Sequence, residues 1–444
     1  MKIAIFLFVL AGQTVSPDTA RLSLDEAIGR ALEENPTLQA HRAKAEAGAQ
    51  LPLQATPAFL PSLSFGLQGM KTTDPVGVFG LKLRQENFAA EDLSLDALNR
   101  PEAYSGYNAT ATVQMPILAP EGLYGFQAAR KAAEAENAGA RRAAGATRFF
   151  TVQAYTGALL ARRQVEALDA ALEAVRSHVA QAEAMHEQGL VTGLDARMAR
   201  LKASEIEVHR LSADAQARNA LSELKAFLNL PDGTELILSD ELSGLTGASV
   251  CVEAGGSDPS ACDWDRRGDL QAYSAGLEAA SKGVKKAWAS QLPALAAFGA
   301  VGHYAQDAPF RNGSGDWTVG IGLSWNPFNG LAGVGAVRAA KAEEAAVKAE
   351  REAAFRQAEV EVLQAKRMLE AAEQGAEVAS GAAAEARVAL EQAQARYASG
   401  TAPITELLDV QAASTNATLS ELSARRDLLL AHAALDLAYG VFDR

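Results

Sequence analysis

The chain has 444 residues, 41 Lys and Arg against 54 Asp and Glu, a formal net charge of −13, and 48% hydrophobic but only 6% aromatic residues. An acidic chain with no clustered basic stretch does not suit nucleic-acid phosphates, which need grouped Lys and Arg. Alanine fills the aromatic deficit, in runs such as 128–137 and 381–396, and Ala with Glu, Lys, Arg and Gln is the composition of closely packed long helices rather than of a globule.

Residues 1–16, MKIAIFLFVLAGQTVS, join one Lys to an apolar run from Ile3 to Ala11 and then to small polar residues, as a secretory signal does. Cleavage fits after Ala11, Ser16 or Ala20. The run is too short to span a bilayer as a helix. No later stretch is apolar for long enough to do so, so any membrane crossing requires a β-barrel. With no Cys near the cleavage region, no N-terminal lipid is expected.

The first large segment, 21–230, opens on Ser23-Leu24-Asp25-Glu26, which has the capping-box form that starts a helix, here a short one over 22–54. In 61–116 a β-hairpin follows. Leu63, Phe65 and Leu67 alternate with Ser62, Ser64, Gly66 and Gln68. Tyr107, Ala109, Ala111, Val113 and Met115 alternate with Asn108, Thr110, Thr112 and Gln114. Such alternation gives strands with one apolar and one polar face. At about ten residues each, they have the length a tilted strand needs to cross a bilayer. A helix free of proline then runs over 119–188, about 100 Å at the usual rise per residue, and stops at Gly189. Its return, 192–229, carries a seam of Leu201, Val208, Leu211, Ala215, Leu221, Leu224 and Leu228.

A connector over 231–264 holds the two cysteines, Cys251 and Cys262. An oxidising periplasm favours a local disulfide between them; two free thiols are the alternative. The segment 265–442 then repeats the order of the first: short helix, hairpin 293–327, long helix 331–399, Gly400, return helix 403–440. LQAHRAKAEA from Leu38 matches LQAYSAGLEA from Leu270, and Pro116 to Gly189 and Pro327 to Gly400 both span 73 residues. Internal duplication follows. The first hairpin is 21 residues longer, with the extra material around 74–93, expected to be a loop. Trp317, Trp325 and Tyr304 are candidate anchors at the membrane surface.

Four strands cannot close a conducting barrel. The chain must therefore oligomerise, or else its hairpins cap a soluble coiled coil. An enzyme would need a nucleophile, acid/base or metal constellation, and none is legible: the six His are dispersed, without HExxH, a phosphate-binding glycine loop or a Cys-His pairing. No metal site and no cofactor is expected. Met185, His186 and Met198 near the first turn could point to a soft-metal exporter, but ordinary packing and surface roles account for them.

LSLDEAIGRALEENPTL at the start, VQMP and WNPF at the strand ends, GLVTGLDARMARLKASE and YASGTAPITELLDVQAAS at the turns appear in an order and spacing that resembles the TolC-type outer membrane factors, over essentially the whole mature chain. The resemblance implies a mainly α fold with β. Four strands per subunit would join a trimeric outer-membrane barrel, continuous with a long periplasmic coiled-coil barrel. It implies a homotrimer in the outer membrane of a Gram-negative bacterium, exporting cargo passively when a periplasmic adaptor and an inner-membrane RND, ABC or MFS pump dock. Glu406 and Asp409 then match the acids that ring the periplasmic aperture; the alternative is ordinary helix-start acids stabilised by the dipole. Asp195 and Tyr397 match a latch between hairpins. The arginine that assists it is replaced by Ala402. Gly189, Leu190, Thr192, Gly400, Thr401 and Ala402 become adaptor-facing turns. A pore-free periplasmic adaptor or structural coiled coil is the competing reading.

Overall fold

The computed structural model describes residues 19–231, 233–242 and 267–443. The signal-like segment 1–16 and both Cys251 and Cys262 lie outside the described residues. In chain order the elements are β1 (Thr19–Leu22), α1 (Leu24–Glu34), α2 (Pro36–Ala49), α3 (Leu51–Gln54), β2 (Ser62–Thr72), α4 (Pro75–Arg84), α5 (Leu95–Asn99), β3 (Tyr104–Leu118), α6 (Pro120–Glu187), α7 (Gly193–Phe227), β4 (Glu235–Leu238), α8 (Gly268–Ala289), β5 (Ala294–Ala305), β6 (Gly313–Ser324), α9 (Ala332–Ala398) and α10 (Ile404–Ala438). They group into two compact units. One takes the described residues up to Lys44, those from Ala138 to Gln271 and those from Ala353 onward; the other takes Ala45–Asn137 and Ala272–Glu352.

The first unit takes α6 from Ala138 and α9 from Ala353; these helices, of 68 and 67 residues in all, turn back into α7 and α10, each of 35. Alanine lets the backbones approach, and Leu and Val fill the seams. Leu168, Leu172, Val175, Ala182, Ala196, Ala199, Ile206, Ala393, Ile404, Leu407 and Leu408 form one buried cluster that joins all four helices. A second cluster packs Tyr155, Leu159, Leu224 and Leu228 with Ala27 and Ala31 of α1 against Leu236 and Leu238.

That second cluster corrects two expectations. The connector, for which no strand was expected, contributes β4, which pairs in parallel with β1, Thr19 opposite Glu235 through Leu22 opposite Leu238. The four-residue alternation Glu235-Leu236-Ile237-Leu238, with Leu236 and Leu238 buried, is too short to stand out as a strand without its partner. Tyr155 fastens the pair: its hydroxyl lies 3.0 Å from both the Leu22 carbonyl and Asp240 Oδ2, and burial pushes its phenol up to about 12. The short helix expected over 22–54 is likewise broken. Ser23 and Glu26 form the capping box that starts α1, but Pro36, which lacks a backbone donor, cannot continue it and opens α2 instead.

In the second unit one antiparallel sheet runs β2-β3-β5-β6. Its register puts Leu63, Phe65 and Leu67 beside Val113, Ala111 and Ala109, then Gly299, Val301 and His303, then Val319, Trp317 and Gly315. The opposite face carries Ser64, Gly66 and Gln68 beside Thr112, Thr110 and Asn108. The sheet is apolar on one side and polar on the other. Tyr304 departs from the expected anchor role, being buried on the polar face beneath Arg84. The 21-residue insertion also differs from the loop expected of it. Asp74 accepts the Gly77 N–H at 2.6 Å and Pro75 fills the first helical position, so the chain winds into α4. Among the described residues no helix is long and apolar enough to cross a membrane.

Candidate functional site

The two hairpin turns of the first unit are built alike. Helix α6 ends as the Gly189 N–H donates to His186 O and the Leu190 N–H to Met185 O, both at 2.9 Å; α9 ends as Gly400 donates to Tyr397 O at 3.0 Å and Thr401 to Arg396 O at 2.9 Å. This paired bonding satisfies carbonyls that a helix end leaves open and requires a left-handed residue. Gly189 and Gly400 provide it, at φ 77° and 72°.

Beyond each glycine the next helix starts differently. Asp195 Oδ2 accepts from the Thr192 N–H at 2.8 Å and from its hydroxyl at 2.9 Å, which ties Thr192, at the cap position, to the first turn of α7. Helix α10 has Pro403 at its cap position and no side-chain bond there. Gly189, Leu190, Thr192, Gly400 and Thr401 are exposed, whereas Ala402 is buried.

Tyr397 is buried in the seam cluster beside Ala196, Ile404, Leu407 and Leu408. Its hydroxyl has no hydrogen-bond partner. Burial pushes the phenol up, and the charge of Asp195 adds to the shift. Asp195 and Tyr397 therefore interact electrostatically within a single chain without a bond between them. Glu406 and Asp409 stand three residues apart on one face of α10, over the buried Ile404, Leu407 and Leu408. Asp409 is exposed. Glu406 Oε1 lies 2.6 Å from Arg396 Nη1, a pairing that sequence reasoning missed because the two residues meet only across the turn.

A polar pair was also missed. His178 of α6 and Gln411 of α10 are buried, and neither His178 Nε2 nor Gln411 Oε1 has a partner. Burial lowers the His178 pKa, and Gln411 opposes this only in part. Two polar residues within otherwise apolar helix faces were the available signal. Among the described residues no group of three or more His, Cys, Asp or Glu could hold a metal ion.

Comparison with known proteins gives this arrangement its context. The chain superposes on a membrane protein from Pseudomonas aeruginosa with a TM-score of 0.80 at 21% identity, covering 94% of this chain and 92% of that one. It superposes on the outer membrane protein VceC of Vibrio cholerae with a TM-score of 0.75 at 19% identity, covering 94% and 96%. The open state of the MtrE outer membrane channel of Neisseria gonorrhoeae gives 0.75 at 18%, covering 94% and 88%. The curated proteins contain no significant sequence match. At these identities the likeness is one of fold. The model of the outer membrane efflux protein family matches residues 27–230 and 264–441, most of the chain, and the protein therefore belongs to the outer membrane efflux protein family.

Proposed function

We propose that the chain is one subunit of a homotrimeric exit duct in a tripartite efflux or type I secretion assembly. One observation carries the reading: a four-stranded sheet, apolar on one face and polar on the other, whose order leaves the outer edges of β2 and β6 unpaired among the described residues. Open edges recruit strands, and four strands are too few to enclose a channel. Three copies joined β6 to β2 form a twelve-stranded barrel whose apolar face meets outer-membrane lipid. The repeated helical hairpins form the periplasmic tunnel. The two separate segments matched by the family model support an internal duplication.

In this reading a periplasmic adaptor docks on the turns at Gly189, Leu190, Thr192, Gly400, Thr401 and Ala402, and an RND, ABC or MFS pump delivers the cargo. Asp195 and Tyr397 hold the closed state, and three copies of Glu406 and Asp409 ring the entrance, where converging carboxylates attract cations. The duct itself performs no chemistry. A heat-modifiable trimer in the outer-membrane fraction that conducts ions in planar bilayers and co-purifies with an adaptor is the expected result. Recovery as a soluble periplasmic species without conductance would leave the competing coiled-coil reading.

A further inference from the structure

The geometry points to a second contact between copies of this chain, at the far end of the sheet from its helical ends: α4 of each subunit meets its counterparts across the lumen and narrows the exit. This inference rests on the trimeric barrel proposed above. Helix α4 carries two apolar stripes on opposite sides, since residues two apart are turned by about 200°. Val78, Leu81 and Gln85, which follows the helix, are buried. Val76, Phe79 and Leu83 are exposed by 80%, 37% and 49%.

The buried stripe lies on the polar face of the sheet, the face that lines the lumen of a barrel. Tyr104 donates its hydroxyl to Gln85 Oε1 at 2.9 Å, and Gln85 Nε2 donates to the Ala305 carbonyl at 3.2 Å. A Cβ added at Gly106 would meet Leu81 Cδ2 at 3.1 Å. The Arg84 guanidinium sits 5.2 Å over the Tyr304 ring, and the Ser314 hydroxyl donates to the Arg84 carbonyl. Tyr104, Gly106, Tyr304 and Ser314 all share the parity of Thr72, Met70 and Asn108 on that polar face.

With its first stripe on the wall, α4 points the second away from the wall. In a closed barrel the facing element is the same helix of another copy, continuous with the edge-to-edge interface that starts at β2. An apolar stripe held over a water-filled lumen is otherwise a cost, and converging apolar side chains resist wetting and narrow a pore.

The test uses full-length chain in outer membranes. Val76→Cys and Leu83→Cys, made separately, are treated with a short bis-maleimide, the parent chain controlling for Cys251 and Cys262. Covalent dimers and trimers are expected from either variant. The triple variant Val76→Ser, Phe79→Ser, Leu83→Ser is expected to form the trimer and raise single-channel conductance about twofold. A heat-modifiable, conducting trimer that neither cross-links nor gains conductance overturns the mouth contact and leaves the channel reading standing. A parent chain that forms no trimer overturns both.

Discussion

Arg396 Nη1 lies 2.6 Å from Glu406 Oε1, tying the last turn of α9 to the first turn of α10. Of the two proposed aperture acids, Glu406 thus carries its own counter-ion while Asp409 is exposed. The Arg396 side chain is 56% exposed, so the pair adds only about 0–1 kcal/mol of stability; its effect is on where charge is presented. Asp409→Ala should lower cation preference in planar bilayers more than Glu406→Ala, and Arg396→Ala should raise it. Identical selectivity in all three would remove these residues from the aperture.

The Tyr397 hydroxyl is buried without a partner, and Asp195 is engaged by Thr192. The phenol is held above its usual value of 10.0 by burial and then by Asp195, so it remains a hydrogen-bond donor at physiological pH. Tyr397→Phe removes a buried hydroxyl that satisfies nothing here, and should raise stability by about 1 kcal/mol. If Tyr397 and Asp195 bond in the closed trimer, the same variant should lengthen channel open times. A parent-like open probability would count against the latch.

His178 is a buried titratable group of the seam. Burial lowers its pKa below 6.5, with Gln411 opposing. A lowered folded-state value means that the unfolded or separated state takes up the proton first. Stability is therefore complete above 6.5 and is lost as pH falls below it, until the folded pKa is passed. Protection factors in α6 around His178, taken relative to the intrinsic exchange rate at each pH, should fall between about pH 7 and pH 5, and His178→Gln should flatten that dependence. Equal acid sensitivity in both proteins would assign it to another group.

Arg267 is the buried anchor of the chain's end. Its Nε and Nη2 bond Asp269 at 3.0 and 2.6 Å, Nη2 also bonds Glu361 at 2.8 Å, and Nη1 donates to Ala438 O at 3.0 Å. Removing one member of a fully buried set costs about 3–5 kcal/mol; with the Asp269 and Glu361 side chains 29% and 36% exposed the loss is smaller, and Arg267→Met should still lower the thermal midpoint. Gly440, at φ 71°, packs where an added Cβ would meet Arg267 at 2.9 Å, whereas Gly400, at φ 72°, has open space. Gly400→Ala should cost about 1 kcal/mol, and Gly440→Ala more. Equal losses in calorimetry would contradict the crowding.

Periodicity made the regular parts legible, and contacts distant in sequence stayed hidden. The alternation around Phe65 and Val113 marked strands because a one-sided sheet needs every second residue apolar. The glycines at 189 and 400 marked helix ends because only a left-handed residue closes the turn. By contrast, β4 takes its meaning from β1, and Glu406 gains Arg396 only when the turn forms. Helix α4 could have been read from Asp74 and Pro75, whose capping chemistry is local. At the turns, exposure of Gly189, Thr192 and Gly400 follows from their place in the chain, but burial of Ala402 depends on how the two hairpins pack.

The unpaired rims of β2 and β6 also constrain how the protein is made. A newly secreted single chain presents two strand edges beside an apolar face bearing Phe65, Trp317, Val319, Ile321 and Leu323, all more than two-thirds exposed. Such a surface aggregates in proportion to its concentration and residence time in water. For the trimer proposed above, productive biogenesis then becomes a race between subunit encounter at the membrane and misassembly in the periplasm. A chaperone that shields the strands would tip this race, and overproduction without one would tip it the other way.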